Sequence, residues 1–113
     1  MIRQQIDILQ EAIENHSRGD FMAVIDQDYR DRLNPDRKAL QRMLQGFFFR
    51  YKDISVLVSH SAISIQAIRA EAVSQVVISG GQGIIPDNAR HYQVTSCWKK
   101  ISGEWLLNCL EWE

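Results

Sequence analysis

The spacing of the apolar residues changes once along this chain, at Asp53, and that change restricts it to helices first and strands after. Upstream, Ile2, Ile6, Leu9 and Ile13 recur at three- and four-residue spacing, with Ile8 and Ala12 widening the stripe. Downstream, Ile54, Val56, Val58 and His60 alternate with Ser55, Leu57, Ser59 and Ser61. A stripe of period 3.6 buries one helix face, and a stripe of period 2 buries one sheet face. The order predicts an α+β fold with helices packed on one face of an antiparallel sheet.

Local signals divide the helical half into three. The first helix ends at His16-Ser17-Arg18-Gly19, with Gly19 expected in the left-handed C′ position. Asp20 is the expected N-cap of a short second helix that turns Phe21, Val24 and Ile25 inward. Asn34-Pro35 opens the third as cap and first-turn proline, and Leu40, Met43, Leu44, Phe47, Phe48 and Tyr51 form its stripe. Three successive phenylalanines, Phe47 to Phe49, exceed what one stripe accommodates. The stretch Asp28-Tyr29-Arg30-Asp31-Arg32 is too polar for core. It reads as a solvated connection with room for a short edge strand.

The alternation that begins at Asp53 slips at Ser61-Ala62 and resumes at Ile63, Ile65 and Ala67, which predicts a bulge in one long strand. A turn over residues 68–71, a strand over 72–79, a turn-rich loop over 80–88 and a final hairpin, 90–100 and 104–112, complete the pattern. With Gly103 as the left-handed residue of the last turn, Lys100 pairs with Glu104. Trp98 then faces Leu106, Ser96 faces Asn108, Val94 faces Leu110 and Tyr92 faces Trp112. The opposite hairpin face carries Trp105, Leu107, Cys97 and Cys109. In that register the two cysteines are diagonal, beyond disulfide reach, and read as small buried hydrophobes. The amphipathic outer face suggests pairing with a second copy.

Composition narrows the function classes. The 113 residues carry 13 Lys and Arg against 14 Asp and Glu, a net charge of −1, without a basic cluster. A nucleic-acid partner is not indicated. No apolar run reaches the roughly 18 residues of a membrane span. Neither Cys-x-x-Cys nor a Cys/His ligand spacing appears, so no metal site and no cofactor is expected. Gly80-Gly81-Gln82-Gly83 lacks the Lys-Ser/Thr and the following helix of a phosphate loop. No internal repeat or linker interrupts residues 1–113, which read as one domain.

Three N-terminal helices, a long bent strand and the ending Tyr92-x-Val94-x3-Trp98-Lys99-Lys100-x2-Gly103-Glu104-Trp105-x-Leu107 together resemble the nuclear-transport-factor-2-like superfamily, which includes SnoaL-like cyclases and ketosteroid isomerases. Within it the chain looks closest to small bacterial domains of unassigned function, with Gly80-Gly81-x3-Ile85-Pro86-Asp87 before the penultimate strand. The resemblance implies a cone: a curved sheet wrapped around helices, a pocket at the open end, and frequent homodimers. Isomerases and cyclases of this type use an Asp base with Tyr, Asp or His partners. Here no Asp or Glu falls on the expected inner face of a strand, and Glu104 and Glu111 fall outside.

These readings converge on a non-catalytic small-ligand-binding or assembly domain, homodimeric through the outer sheet face. Its expected pocket residues are Tyr29, Phe47, His60, Tyr92, Ser96, Trp98, Asn108 and Trp112, with no catalytic residue named. The ligand expected there is small and apolar. Asn108 and Ser96 are either the polar contacts of that pocket or groups bonded to each other, to a water or to a helix end. His60 at the rim, or Tyr29 with Asp28 and Asp31, are the groups an enzyme would use. His91 and His16 carry weaker claims. The alternative is a SnoaL- or ketosteroid-isomerase-like enzyme acting by proton transfer on a cyclic or polyketide-like substrate. The sequence as it stands implies the cytoplasm; a trimmed natural leader would imply a periplasmic or lipid-anchored protein.

Overall fold

The structure, a computed structural model, describes residues 1–81 and 88–113, the side chains of His60 and Asn88 excepted. Three helices, α1 (Ile2–Glu14), α2 (Arg18–Met22) and α3 (Arg37–Arg50), precede four strands, β1 (Asp53–Gln66), β2 (Arg69–Gly81), β3 (Asn88–Ile101) and β4 (Glu104–Trp112). The strands form one antiparallel sheet in the order β1-β2-β3-β4. The helices cover one sheet face, as the change of period predicts. The loop expected over 80–88 lies largely outside the described residues.

Helix ends differ in detail from the sequence expectation. His16, at φ 55°, takes the left-handed position expected of Gly19. The Ser17 N–H reaches back to the Ala12 carbonyl at 2.8 Å, closing the helix end. The His16 ring Nε2 donates to the Tyr51 carbonyl at 2.7 Å and so ties the end of α1 to the end of α3. Gly19 lies inside α2, whose N-cap is Ser17 rather than Asp20. The cap of α3 is Asp36, whose side chain accepts from Ala39 N, two residues beyond the expected Asn34. Asn34 is buried and bonded to Asp31 instead.

The bulge expected near Ser61 is present: Ser59 pairs with Gln75 but Ala62 with Val73. A two-residue turn follows, Ala67-Ile68, so β2 starts at Arg69, three residues earlier than the expected strand. Inner-face residues of β3 alternate as predicted: Trp98, Ser96, Val94 and Tyr92 lie opposite Ala70, Ala72, Ser74 and Val76 of β2.

The last hairpin is where the expected register fails. Ser102 (φ 51°) and Gly103 (φ 83°) form a two-residue turn with both residues left-handed, which pairs Ile101 with Glu104. Trp98 therefore faces Leu107, not Leu106. One extra residue, Asn108, is then absorbed between the Trp98–Leu107 and Cys97–Cys109 pairs. Ser96 faces Leu110 and Val94 faces Trp112, so the expected Ser96–Asn108 and Tyr92–Trp112 pairs do not form.

Two expectations fall with that register. Cys97 and Cys109 sit directly opposite each other, Cα atoms 4.9 Å apart, and are joined in a disulfide rather than separated on a diagonal. Leu107 belongs to the inner face with no exposed surface, and Trp105 packs against the same core, so neither belongs to an outer apolar face.

The core has two connected parts. One gathers Phe21, Met22, Val24, Ile25, Tyr29, Leu40 and Leu44 against Ala70, Ala72, Trp98 and Leu107. The other places Phe47, Phe48 and Tyr51 of α3 with Ile54, Val56 and Val76, and Ile13 and Phe48 touch both. Phe49 is the phenylalanine left in solvent.

Candidate functional site

The segment between α2 and α3 runs along the free edge of β4. Asp26 N donates to the Leu107 carbonyl at 2.9 Å, Leu107 N to the Val24 carbonyl at 2.8 Å, and Arg30 N to the Asn108 carbonyl at 3.2 Å. This pairing has a single parallel bridge at Ile25 and Leu107, just upstream of residues 28–32, where a short edge strand was expected. It turns two residues of a polar stretch inward: Asp26 and Tyr29 are each 1% exposed. The reading of residues 28–32 as solvated is thus corrected for Tyr29, since the backbone bonds to Leu107 and Asn108 hold this segment against the edge of β4 and its side chain against the core.

The buried polar groups satisfy one another. Asn108 Nδ2 donates to Asp26 Oδ2 at 2.8 Å, and Asp28 N donates to Asp26 Oδ1 at 3.3 Å. The bulge is what aims Asn108 at that carboxylate. Tyr29 donates its phenol to Asp31 Oδ2, and Asp31 also accepts from Leu33 N and Asn34 N, both at 2.8 Å, and from the Asn34 amide. Burial and the Asp31 carboxylate hold the Tyr29 proton well above the ordinary phenol range. Burial pushes Asp31 upward, but the bonds from Tyr29, Asn34 and Leu33 outweigh it and leave the carboxyl below its ordinary value. On β3, Trp98 Nε1 donates to Ser96 Oγ at 2.8 Å, and Ser96 Oγ donates to the Ala72 carbonyl at 3.3 Å.

The expected pocket residues accordingly divide. Tyr29, Ser96 and Trp98 are buried, Asn108 is half-buried, and each has its polar group engaged within the protein. Phe47, Tyr92 and Trp112 are half-buried. Phe47 packs beside Val94 and Val76, Tyr92 lies opposite Val76, and Trp112 lies opposite Val94. The His60 side chain lies outside the described residues. A cavity of about 120 Å³ lies between residues 31–33 and the end of β4, lined by Asp31, Arg32, Leu33, Leu110, Glu111, Trp112 and Glu113. Trp112 alone of the expected residues lines it. Its volume is below the several hundred Å³ that enclose a typical ligand.

Sequence reasoning missed Asp26 and Leu110. Asp26 directly follows the apolar Phe21–Ile25 run, and Asp26-Gln27-Asp28 has the spacing of a side-chain-capped turn, which was the available signal. Among the described residues, no group of three or more His, Cys, Asp or Glu side chains could hold a metal ion.

No protein-family model and no curated protein matches this sequence. Solved structures do match. An NTF2-like protein of unknown function from Pseudomonas putida KT2440 superposes with a TM-score of 0.84 at 14% identity, over 99% of this chain and 82% of that one. The hexachlorocyclohexane dehydrochlorinase LinA-type3 from Novosphingobium barchaimii LL02 gives 0.81 at 10% identity, over 99% and 82%. Bd1075 from Bdellovibrio bacteriovorus gives 0.87 at 13% identity, over 98% of this chain, which spans only 38% of that protein. At such identities the likeness concerns architecture. The chain has the α+β fold of the nuclear-transport-factor-2-like proteins.

Proposed function

We propose that residues 1–113 act as one ligand-binding domain that takes a small, mostly apolar molecule between α3 and the β3–β4 end of the sheet. The observation that carries this reading is how the polar groups are used. Asp26, Tyr29, Asp31, Ser96 and Asn108 are engaged with partners inside the protein. Burial and the Asp31 carboxylate hold the Tyr29 phenol above its usual range, and the bonds Asp31 accepts hold its carboxyl below. Half-buried aromatic and aliphatic side chains remain, Phe47, Tyr92, Val94, Leu110 and Trp112, and the cavity that Leu110 and Trp112 line also carries Asp31, Arg32, Glu111 and Glu113. The aromatic and aliphatic side chains bind by burial and shape.

The neutral apolar dye N-phenyl-1-naphthylamine tests the reading. Saturable fluorescence enhancement is expected, weakened about fivefold or more by Trp112→Ala or Tyr92→Ala, about 1 kcal/mol on the usual conversion. Absence of saturable binding by the folded protein overturns it. Native mass spectrometry of the purified protein adds any retained ligand mass and the subunit count. We place the homodimer contact on the outer sheet face, where Leu57 (64% exposed) lies directly opposite Val77 (36% exposed). A monomer at high concentration would remove that contact. No helix is long and apolar enough to cross a membrane. The Cys97–Cys109 disulfide favours an oxidising compartment such as the periplasm over the cytoplasm.

One observation favours a second reading, a proton-transfer enzyme: Asp26 is a carboxylate inside the fold, where none was expected. Its test is 5-nitrobenzisoxazole, whose ring opens when a base removes the carbon-bound proton. Turnover abolished by Asp26→Asn, with dye binding intact, would establish the enzyme. Turnover no faster than buffer would remove it for this substrate class.

A further inference from the structure

We infer that the Cys97–Cys109 pair is a redox modification site that sets the register of β4 and thereby completes the ligand site; the inference rests on the binding site proposed above. Three observations meet at this point of the hairpin. The two-residue turn at Ser102-Gly103 establishes one register, which holds as far as Trp98 and Leu107. Continued without interruption, it would set Cys97 against Asn108, Ser96 against Cys109 and Thr95 against Leu110. A one-residue slip moves every later side chain to the other face, so Leu110 and Trp112 would turn outward. The disulfide forbids that slip, because it fixes Cys109 opposite Cys97 and forces Asn108 out as the bulge. With the bulge in place, Asn108 reaches Asp26, and Leu110 and Trp112 line the cavity.

Both cysteines are half-buried, so part of each residue meets solvent, and the register places them on the sheet face away from Ser96 and Leu110. The reaction is ordinary thiol–disulfide exchange. A thiolate of a glutathione-type thiol attacks one sulfur, the Cys97–Cys109 bond breaks, and a mixed disulfide forms as the other cysteine leaves as thiolate. A second reagent thiolate then attacks the reagent sulfur of the mixed disulfide and displaces the remaining cysteine as thiolate, giving two protein thiols and one oxidised reagent, with two electrons and two protons gained by the protein. Oxidation is the reverse. Reduction leaves the bulge held by packing and by the Asn108–Asp26 bond alone, and the register beyond Trp98 loosens.

The test measures dye binding and hydrogen exchange on the oxidised protein, on the protein reduced with excess dithiol, and on the Cys97→Ser/Cys109→Ser variant. Expected on reduction, and in the variant, are at least about threefold weaker N-phenyl-1-naphthylamine binding and at least about tenfold faster exchange of amides in residues 93–97 and 108–113. Exchange in α1 should stay unchanged. Equal exchange and equal dye affinity in all three forms overturn the inference, as does a protein that never forms the bond under oxidised glutathione. Were the oxidised protein to bind no dye, the proposed ligand site would fall, while the exchange data would still decide the register lock. If the variant does not fold, reduction of the wild type within its native baseline gives the same comparison.

Discussion

The Val56 N–H donates to Glu14 Oε2 at 3.0 Å, so a helix side chain occupies a backbone group on the free edge of the sheet. The Val56 carbonyl accepts from Gln10 Nε2 at 2.7 Å, and the Ser61 carbonyl from Arg3 Nη2 at 3.1 Å. An unpaired strand edge is a template for association, and α1 covers this one with its own polar side chains. At the opposite edge, residues 24–30 do the same for β4 with backbone groups.

Removing that cover has a specific consequence. Gln10→Ala and Glu14→Ala each leave a part-buried backbone group of Val56 unpaired, and about 1 kcal/mol of stability is expected to be lost in each. The double variant is expected to self-associate with rising concentration. Urea unfolding and sedimentation velocity check both outcomes, and a monodisperse double variant of full stability would contradict them.

Asn108 is a structural partner of Asp26. Asn108→Leu leaves a carboxylate of 1% exposure without its amide donor. A loss of about 2–3 kcal/mol is expected, because a buried polar group that loses its donor bears its desolvation cost uncompensated. A loss below about 1 kcal/mol in urea unfolding would free Asn108 for a ligand.

Tyr29 and Asp31 give the protein a pH signature. The folded Asp31 carboxyl lies below its unfolded value, so its contribution is fully present above about pH 4 and fades as pH falls through the folded value. The folded Tyr29 phenol lies above its unfolded value of about 10, so its contribution is complete below that pH and fades as pH rises beyond it. Tyr29→Phe is expected to cost about 1–2 kcal/mol at pH 7 and to flatten both arms. Urea midpoints collected from pH 2 to 11 report this, and unchanged arms would refute it.

The disulfide closes a short loop of sequence separation 12. On the chain-entropy account, Cys97→Ser/Cys109→Ser is expected to lose about 2–3 kcal/mol, with a larger unfolded-state surface in the denaturant slope. Equal stability of the two forms would mean that the hairpin is already fixed by packing.

How far the sequence could be read follows from where its signals are local. The stripes of α1 and α3, the slip at Ser61-Ala62 and the inner phase of Tyr92, Val94, Ser96 and Trp98 each reflect burial of one face. Burial leaves its period in neighbouring residues, and these elements stand in the structure as the periods predict, except that Ile8 of the α1 stripe and Met43 of the α3 stripe are exposed. The phase of β4 was not local. It depended on a turn of two residues with Ser102 left-handed and on one extra residue at Asn108, and a single-residue change at either point reverses a strand's faces. That reversal decided which of Leu106 and Leu107 is core and whether Cys97 and Cys109 meet. Asp26 and Tyr29 were hidden for a related reason. Their segment is polar by composition, and only its pairing with the edge of β4 turned those two side chains inward. Sequence alone determined the α+β architecture; tertiary pairing decided the interior chemistry, because register and edge cover are relations between segments distant along the chain.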